Sequence, residues 1–295
     1  MGLSPAATRY KLLRHKSTLR GLSPDRTRSV VDRPPLSLTL CAPHGTNDPW
    51  SNLLTFPRFP IPFDDGHVAL AFRATPDTDL GRGLRAMGLT TGVPVIVPVG
   101  AGSRPAQLAR LGPLLEKVLA TVAEEVDATV VGVGASGGLG AAVGQARRRK
   151  KAGFPMIGVA SDGSGAGDLE PEHTHFVLVP ADHGAGVARW VAQVATAAAG
   201  GNRSVAVLTA GGEPAWEAVA AQARAGRLIM AVARTGGVAD QLAAACAGRV
   251  SDSRARALAD SGQVFAVDPG KGAAHVADVL RGALSRPNEL GPAPR

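Results

Sequence analysis

The chain predicts a three-layer α/β domain with a mainly parallel sheet, spanning about residues 66–285. Three observations carry that reading. Short apolar runs recur along the chain, alanine-rich stretches of helical length separate them, and five of the runs end in glycine-rich turns. Strands that are apolar on both faces and alternate with helices belong to a parallel sheet covered on both sides.

Taken in order, the strands read as His67–Arg73, Val93–Val99, Ala128–Val133, Pro155–Ala160, His175–Pro180, Ser204–Thr209, Leu228–Ala233 and Val264–Val267. The intervening helical stretches include Pro105–Val126, Gly138–Lys151, Val187–Ala199, Pro214–Ala225 and Ala239–Cys246, where alanine supplies helix propensity and close packing. Residues 1–65 read as an extension. It has a basic head, then Pro34-Pro35, then the segment PWSNLLTFPRFPIPFDD, whose prolines exclude regular helix and whose phenylalanines serve as anchors along the domain surface. Residues 286–295 read as a flexible tail.

Composition limits the function classes. Hydrophobic residues make up 45% and charged residues 19% of the chain, a globular balance rather than a disordered one. Cys41 and Cys246 cannot build a disulfide scaffold or a four-thiolate metal site, so a reducing, cytoplasmic setting is expected. No run of 18 apolar residues is present, and no membrane span is expected. The net charge of +8 is concentrated in the first 36 residues, where eight lysines and arginines face two aspartates. Such a head suits an acidic protein surface, anionic lipid or nucleic acid, and charge alone does not choose among them.

The strand ends hold the candidate site. They read GAGS at Gly100–Ser103 (with Gly100, Gly102 and Ser103), GASGGLG at Gly134–Gly140 (with Gly134, Ser136, Gly137 and Gly138), SDGSGAGD at Ser161–Asp168, AGGEP at Ala210–Pro214 and RTGGVAD at Arg234–Asp240. Small residues at successive strand-to-helix turns let ligand approach the backbone, and helix N-termini favour phosphate. Gly132–Gly137 satisfies the GxGxxG spacing, with Asp162 beyond the next strand as a ribose-binding acid. Its position in mid-domain argues against a hydride-transferring dehydrogenase. Glu213 and Asp240 either satisfy first-turn amides or contact a ribose or base edge. His173, His175 and His183, near Asp168, Glu170, Glu172 and Asp182, raise a metal site, but backbone hydrogen bonding accounts better for the histidines, and no metal is expected. No GxSxG elbow is present, so Ser136 is read as a phosphate binder and not as a nucleophile.

Three stretches in order, LEPEHTHFVLVP, SVAVLTAGGEPAW and LIMAVARTGGVADQLAAA, resemble the SLOG superfamily of Rossmann-like nucleotide-binding domains. More narrowly the chain resembles the prokaryotic (LSDAT-like) relatives of the amino-terminal cytosolic domain of melastatin-type TRP channels, from about Asp64 to Gly248. The resemblance implies one Rossmann-like domain that recognises nucleotide-derived ligands such as ADP-ribose, NAD or a related adenine nucleotide. It places the family His-x-His-Phe on His173, His175 and Phe176, and Gly-Gly-Glu on Gly211, Gly212 and Glu213. The family phosphate turn falls on Val133–Leu139, without its first glycine and its threonine. The family Gly-Arg-x-Ala-Asp, which follows Thr235, falls on Gly236, Gly237, Val238, Ala239 and Asp240, with Gly237 in place of the arginine. Gly186 stands at a commonly acidic position, and no local basic residue restores the geometry of the lost guanidinium, with Arg234 at the preceding strand end the one within reach of the same space.

The scaffold is thus kept while several ligand-positioning groups are changed. The reading that follows is a nucleotide-derivative sensor, noncatalytic and homo-oligomeric. A structural interaction protein with a vestigial crevice and a nucleotide ribosyl hydrolase are the alternatives.

Overall fold

A computed structural model describes residues 56–100, 105–180, 185–249 and 252–285. The basic head, the tail at 286–295 and the candidate residues Gly102, Ser103, Asp182 and His183 lie outside the described residues.

Nine strands among the described residues form one sheet: β1 (Phe59–Pro62), β2 (Val68–Arg73), β3 (Val95–Gly100), β4 (Thr129–Val133), β5 (Met156–Ser161), β6 (His175–Val179), β7 (Ser204–Thr209), β8 (Leu228–Val232) and β9 (Val264–Val267). Their order is β1-β2-β6-β5-β4-β3-β7-β8-β9. All neighbours are parallel except β1 and β2. The eight strands read from sequence are therefore present, and the fold is the expected α/β class. β1 was not among them. Its FPIP run lies in the segment read as an extended arm, and it pairs as an edge strand, the one place in a sheet where alternate prolines cost no ladder bonds.

The helices are α1 (Leu80–Ala86), α2 (Pro105–Leu114), α3 (Thr121–Glu125), α4 (Gly138–Lys150), α5 (Ala185–Ala199), α6 (Glu213–Arg224), α7 (Gly237–Cys246), α8 (Ser253–Asp260) and α9 (Ala273–Ser285). A π-helical stretch, Leu115–Ala120, joins α2 to α3. One face of the sheet packs a cluster that includes Leu84, Val191, Val194, Trp216, Val219 and Leu242, from α1, α5, α6 and α7. The other packs Leu111, Leu119, Val143, Val276 and Leu280, from the α2–α3 run, α4 and α9.

The central six strands, β5-β4-β3-β7-β8-β9, follow the 3-2-1-4-5-6 order of the doubly wound nucleotide-binding fold. From β3 the chain turns one way, to β4 and β5. From β7 it turns the other way, to β8 and β9. The carboxyl ends of β3 and β7 thus flank the switch point, where open α/β sheets leave a crevice.

Pro98 shapes that crevice. β3 pairs with β7 along its whole length, from Val95↔Ser204 to Gly100↔Thr209. Its register with β4 stops at Ile96↔Val130. Pro94 accepts from Thr129 on the β4 side, and alternation puts Pro98 on that same side, where it has no N–H to give. Beyond Ile96 the two strands part, and the gap between them opens into a cavity.

Candidate functional site

The cavity, of about 720 Å³, is bounded by the ends of β3 (Pro98–Gly100) and β4 (Gly132, Val133), the Ala135–Gly140 turn, the start of α5 and the first turns of α6. Among the described residues its charged lining groups are Glu213 and Glu217, and no lysine or arginine lines it. A wider groove of about 850 Å³ lies between α5 and α6, away from the strand ends. Gly186, at the position where the resemblance implies an acid, lines that groove and not the cavity.

The Gly134–Gly138 turn is tied down from behind. Ala135 bridges Leu169, the Ser136 amide donates to the Asp168 carbonyl at 2.8 Å, and the Glu170 amide donates to the Gly134 carbonyl at 2.9 Å. The buried Glu170 carboxylate accepts from the Gly137 amide at 2.8 Å, just ahead of α4. A carboxylate already stands where the glycine spacing places a phosphate, favoured by the helix dipole.

His173 follows this carboxylate. Its ring is buried, and Nδ1 lies 3.2 Å from the Glu170 carbonyl oxygen. A carbonyl only accepts, so Nδ1 carries the proton and Nε2 is left as an acceptor. Burial pushes the imidazole down to about 4, so it is neutral at pH 7. The edge bearing Cε1 and Nε2 faces Gly140 of α4, on the cavity wall.

His175 departs from the sequence reading. It opens β6, with Nδ1 2.8 Å from the Thr174 hydroxyl, and does not line the cavity. His173 and His175 do not share a site. Glu172 is paired with Arg148, and the Asp168 carboxylate accepts from the Gly165 amide. No group of three or more His, Cys, Asp or Glu able to hold a metal occurs among the described residues. Asp162 is held by Arg73 at 2.8 Å and also lies outside the cavity lining.

On the opposite rim, Glu213 and Glu217 are four apart on α6 and so share a face. Arg254 of α8 pairs with Glu213 and lies over the Trp216 ring, 4.4 Å from its centroid. Glu217 makes no hydrogen bond or ion pair with the described residues and was missed by the sequence reading. Its signal was the i, i+4 spacing from Glu213. The Thr209 hydroxyl, buried opposite Gly100, likewise has no hydrogen-bond partner among the described residues.

Thr235, Gly236, Gly237 and Asp240 form a clasp behind α6. The Ala210 amide donates to Thr235 Oγ1 at 2.8 Å, and the Val238 and Ala239 amides donate to the Gly211 and Ala210 carbonyls at 3.0 and 2.9 Å. Asp240 accepts from the Thr235 amide at 3.2 Å. These bonds hold Ala210 at φ +54° and fix the Gly211-Gly212 turn that launches Glu213 into the rim. They also occupy the first amides of α7. A side chain on Gly237, at φ +57°, would place its Cβ 2.0 Å from the Gly211 carbonyl oxygen, so this backbone leaves no room for the arginine of the family pattern. Arg234 does not replace it, because its guanidinium pairs with Asp268.

An α/β domain with the doubly wound strand order and a cavity at its switch point belongs to the broad class of Rossmann-like domains. Within that class the chain is a member of the SLOG family found in prokaryotic relatives of TRPM channels, described as "SLOG in TRPM, prokaryote", which matches residues 93–278. The match begins later and runs further toward the C-terminus than the stretch from Asp64 to Gly248 read from sequence. Among solved structures, the X-ray structure of TM1055 is similar at 16% identity, covering 64% of this chain and 99% of that one with a TM-score of 0.46. No curated protein matches the chain.

Proposed function

We propose that this domain binds a nucleotide-derived ligand of the ADP-ribose or NAD type in the switch-point cavity and holds it without turning it over. The observation that carries the reading is the position of the cavity, at the carboxyl ends of β3 and β4 and the first turns of α6, the helix that follows β7, beside the point where strand order reverses. Its chemistry fits a nucleoside. The walls are apolar, Glu217 offers acceptors for ribose hydroxyls and His173 offers one neutral acceptor. Glu213, a carboxylate on the cavity rim, is engaged by Arg254, which supports binding over hydrolysis.

In this reading the protein works in the cytoplasm as a homo-oligomeric sensor. Ligand occupancy changes the contacts of the Pro and Phe rich arm, and the basic head meets an acidic protein surface, anionic lipid or nucleic acid. No helix among the described residues is long and apolar enough to cross a membrane.

The test is a thermal-shift titration with ADP-ribose, NAD, AMP, ATP and cyclic ADP-ribose, followed by calorimetry on each hit. Native-state binding raises the melting temperature with ligand concentration. If no ligand of this panel bound below millimolar concentration, the reading would be lost. A ligand consumed during the titration would instead favour hydrolysis.

A further inference from the structure

From the nucleotide-binding reading, on which this inference rests, we infer that the turn at Gly134–Gly138 receives the heterocyclic base of the ligand and not its phosphate. The inference begins with Glu170. Its buried carboxylate occupies the Gly137 amide, and it forms no ion pair with the described cationic side chains. A phosphate brought to the same turn would find the Gly137 amide already occupied by carboxylate oxygen, in a site where no described basic side chain lines the cavity.

The space beside the turn suits a flat apolar ring. On β4, Val130 and Gly132 are two apart and so point to the same face of the sheet, toward the cluster that holds Val143 of α4. A Cβ built on Gly132 would meet nothing within 4 Å, so the missing side chain leaves a slot near the carboxyl end of β4. Val130, Leu139, Val143 and Met156 wall the slot, and His173 stands on its lining. The parting of β3 and β4 after Ile96 connects this slot to the rim at Glu213 and Glu217. An apolar slot with one neutral ring acceptor matches a nucleobase that carries an exocyclic amine, because the amine donates to Nε2 of His173 while the ring faces contact aliphatic side chains. The ribose then lies at Glu217, and the phosphates point away from the Gly134–Gly138 turn.

The inference is tested by splitting the ligand. Calorimetry compares adenosine, ribose 5-phosphate and ADP-ribose on the full chain and on Gly132→Ala, Gly132→Val and Gly132→Leu, each checked for an unchanged far-UV spectrum and melting temperature. Filling the slot should weaken adenosine and ADP-ribose progressively with side-chain size, by about tenfold or more for Leu, because the added side chain takes the space of the base. Ribose 5-phosphate should change by less than about twofold. If the series weakened ribose 5-phosphate as much as adenosine, or left adenosine unchanged, the assignment of the base to the slot would be overturned while nucleotide binding stood. Failure of all three ligands to bind the unaltered chain would overturn both.

Discussion

Gly237→Ala tests whether the Thr235–Asp240 segment is a clasp or a ligand contact. Three costs add. Left-handed backbone at φ +57° costs a non-glycine residue about 1 kcal/mol. A Cβ 2.0 Å from the Gly211 carbonyl oxygen forces the two turns apart, which breaks or stretches the bonds from Val238 and Ala239 to Gly211 and Ala210. Two such bonds are worth about 2 kcal/mol together. The variant should therefore lose about 3 kcal/mol or more, read from urea denaturation with an unchanged slope. It should also weaken ligand binding, because the turn before Glu213 loses its anchor. A variant within about 1 kcal/mol of the parent, with intact ligand affinity, would refute the clasp. Gly237→Arg, which restores the family arginine, should be at least as destabilised and should not gain affinity.

Three further outcomes follow from other residues. His173 is held near 4 by burial, while the unfolded chain titrates near 6.5, so between those values the unfolded state binds the extra proton. Stability contributed at His173 is whole above pH 6.5 and falls as pH drops toward 4, by up to about 3 kcal/mol, and His173→Gln should flatten that part of a stability-versus-pH curve. Arg227 is buried and bonded to Ser204, Gln222 and Thr196, with burial lowering it to about 10. Arg227→Lys cannot satisfy the same fork of acceptors and should cost about 2 kcal/mol by denaturant titration. Glu217→Gln should weaken ADP-ribose by about tenfold in calorimetry through loss of a charged acceptor, and an unchanged constant would remove Glu217 from the site.

Much of the fold was legible because apolar strand runs and alanine-rich helices alternate along the chain. The site was legible in outline only. Glycine spacing located the Gly134–Gly138 and Gly211–Gly212 turns, but spacing cannot show that Glu170, 33 residues beyond Gly137, already caps one of them. Nor does it show that the Gly236-Gly237 turn faces the Gly211 backbone instead of solvent. Two signals were available and unused. A proline in a central strand marks the end of a ladder, and Pro98 does so here. A glycine in the same position of the neighbouring strand marks a missing side chain, and Gly132 supplies the slot. The His-x-His spacing does not bring the two rings together, because His173 precedes β6 while His175 begins the strand.

The central claim is that the switch-point cavity between β3, β4 and α6 holds the ligand. A crystal structure of the chain soaked with ADP-ribose tests it most directly. Density for the ligand between Gly132, His173 and Glu217 would bear the claim out. Ligand in the α5–α6 groove beside Gly186, or an empty cavity at saturating concentration, would contradict it.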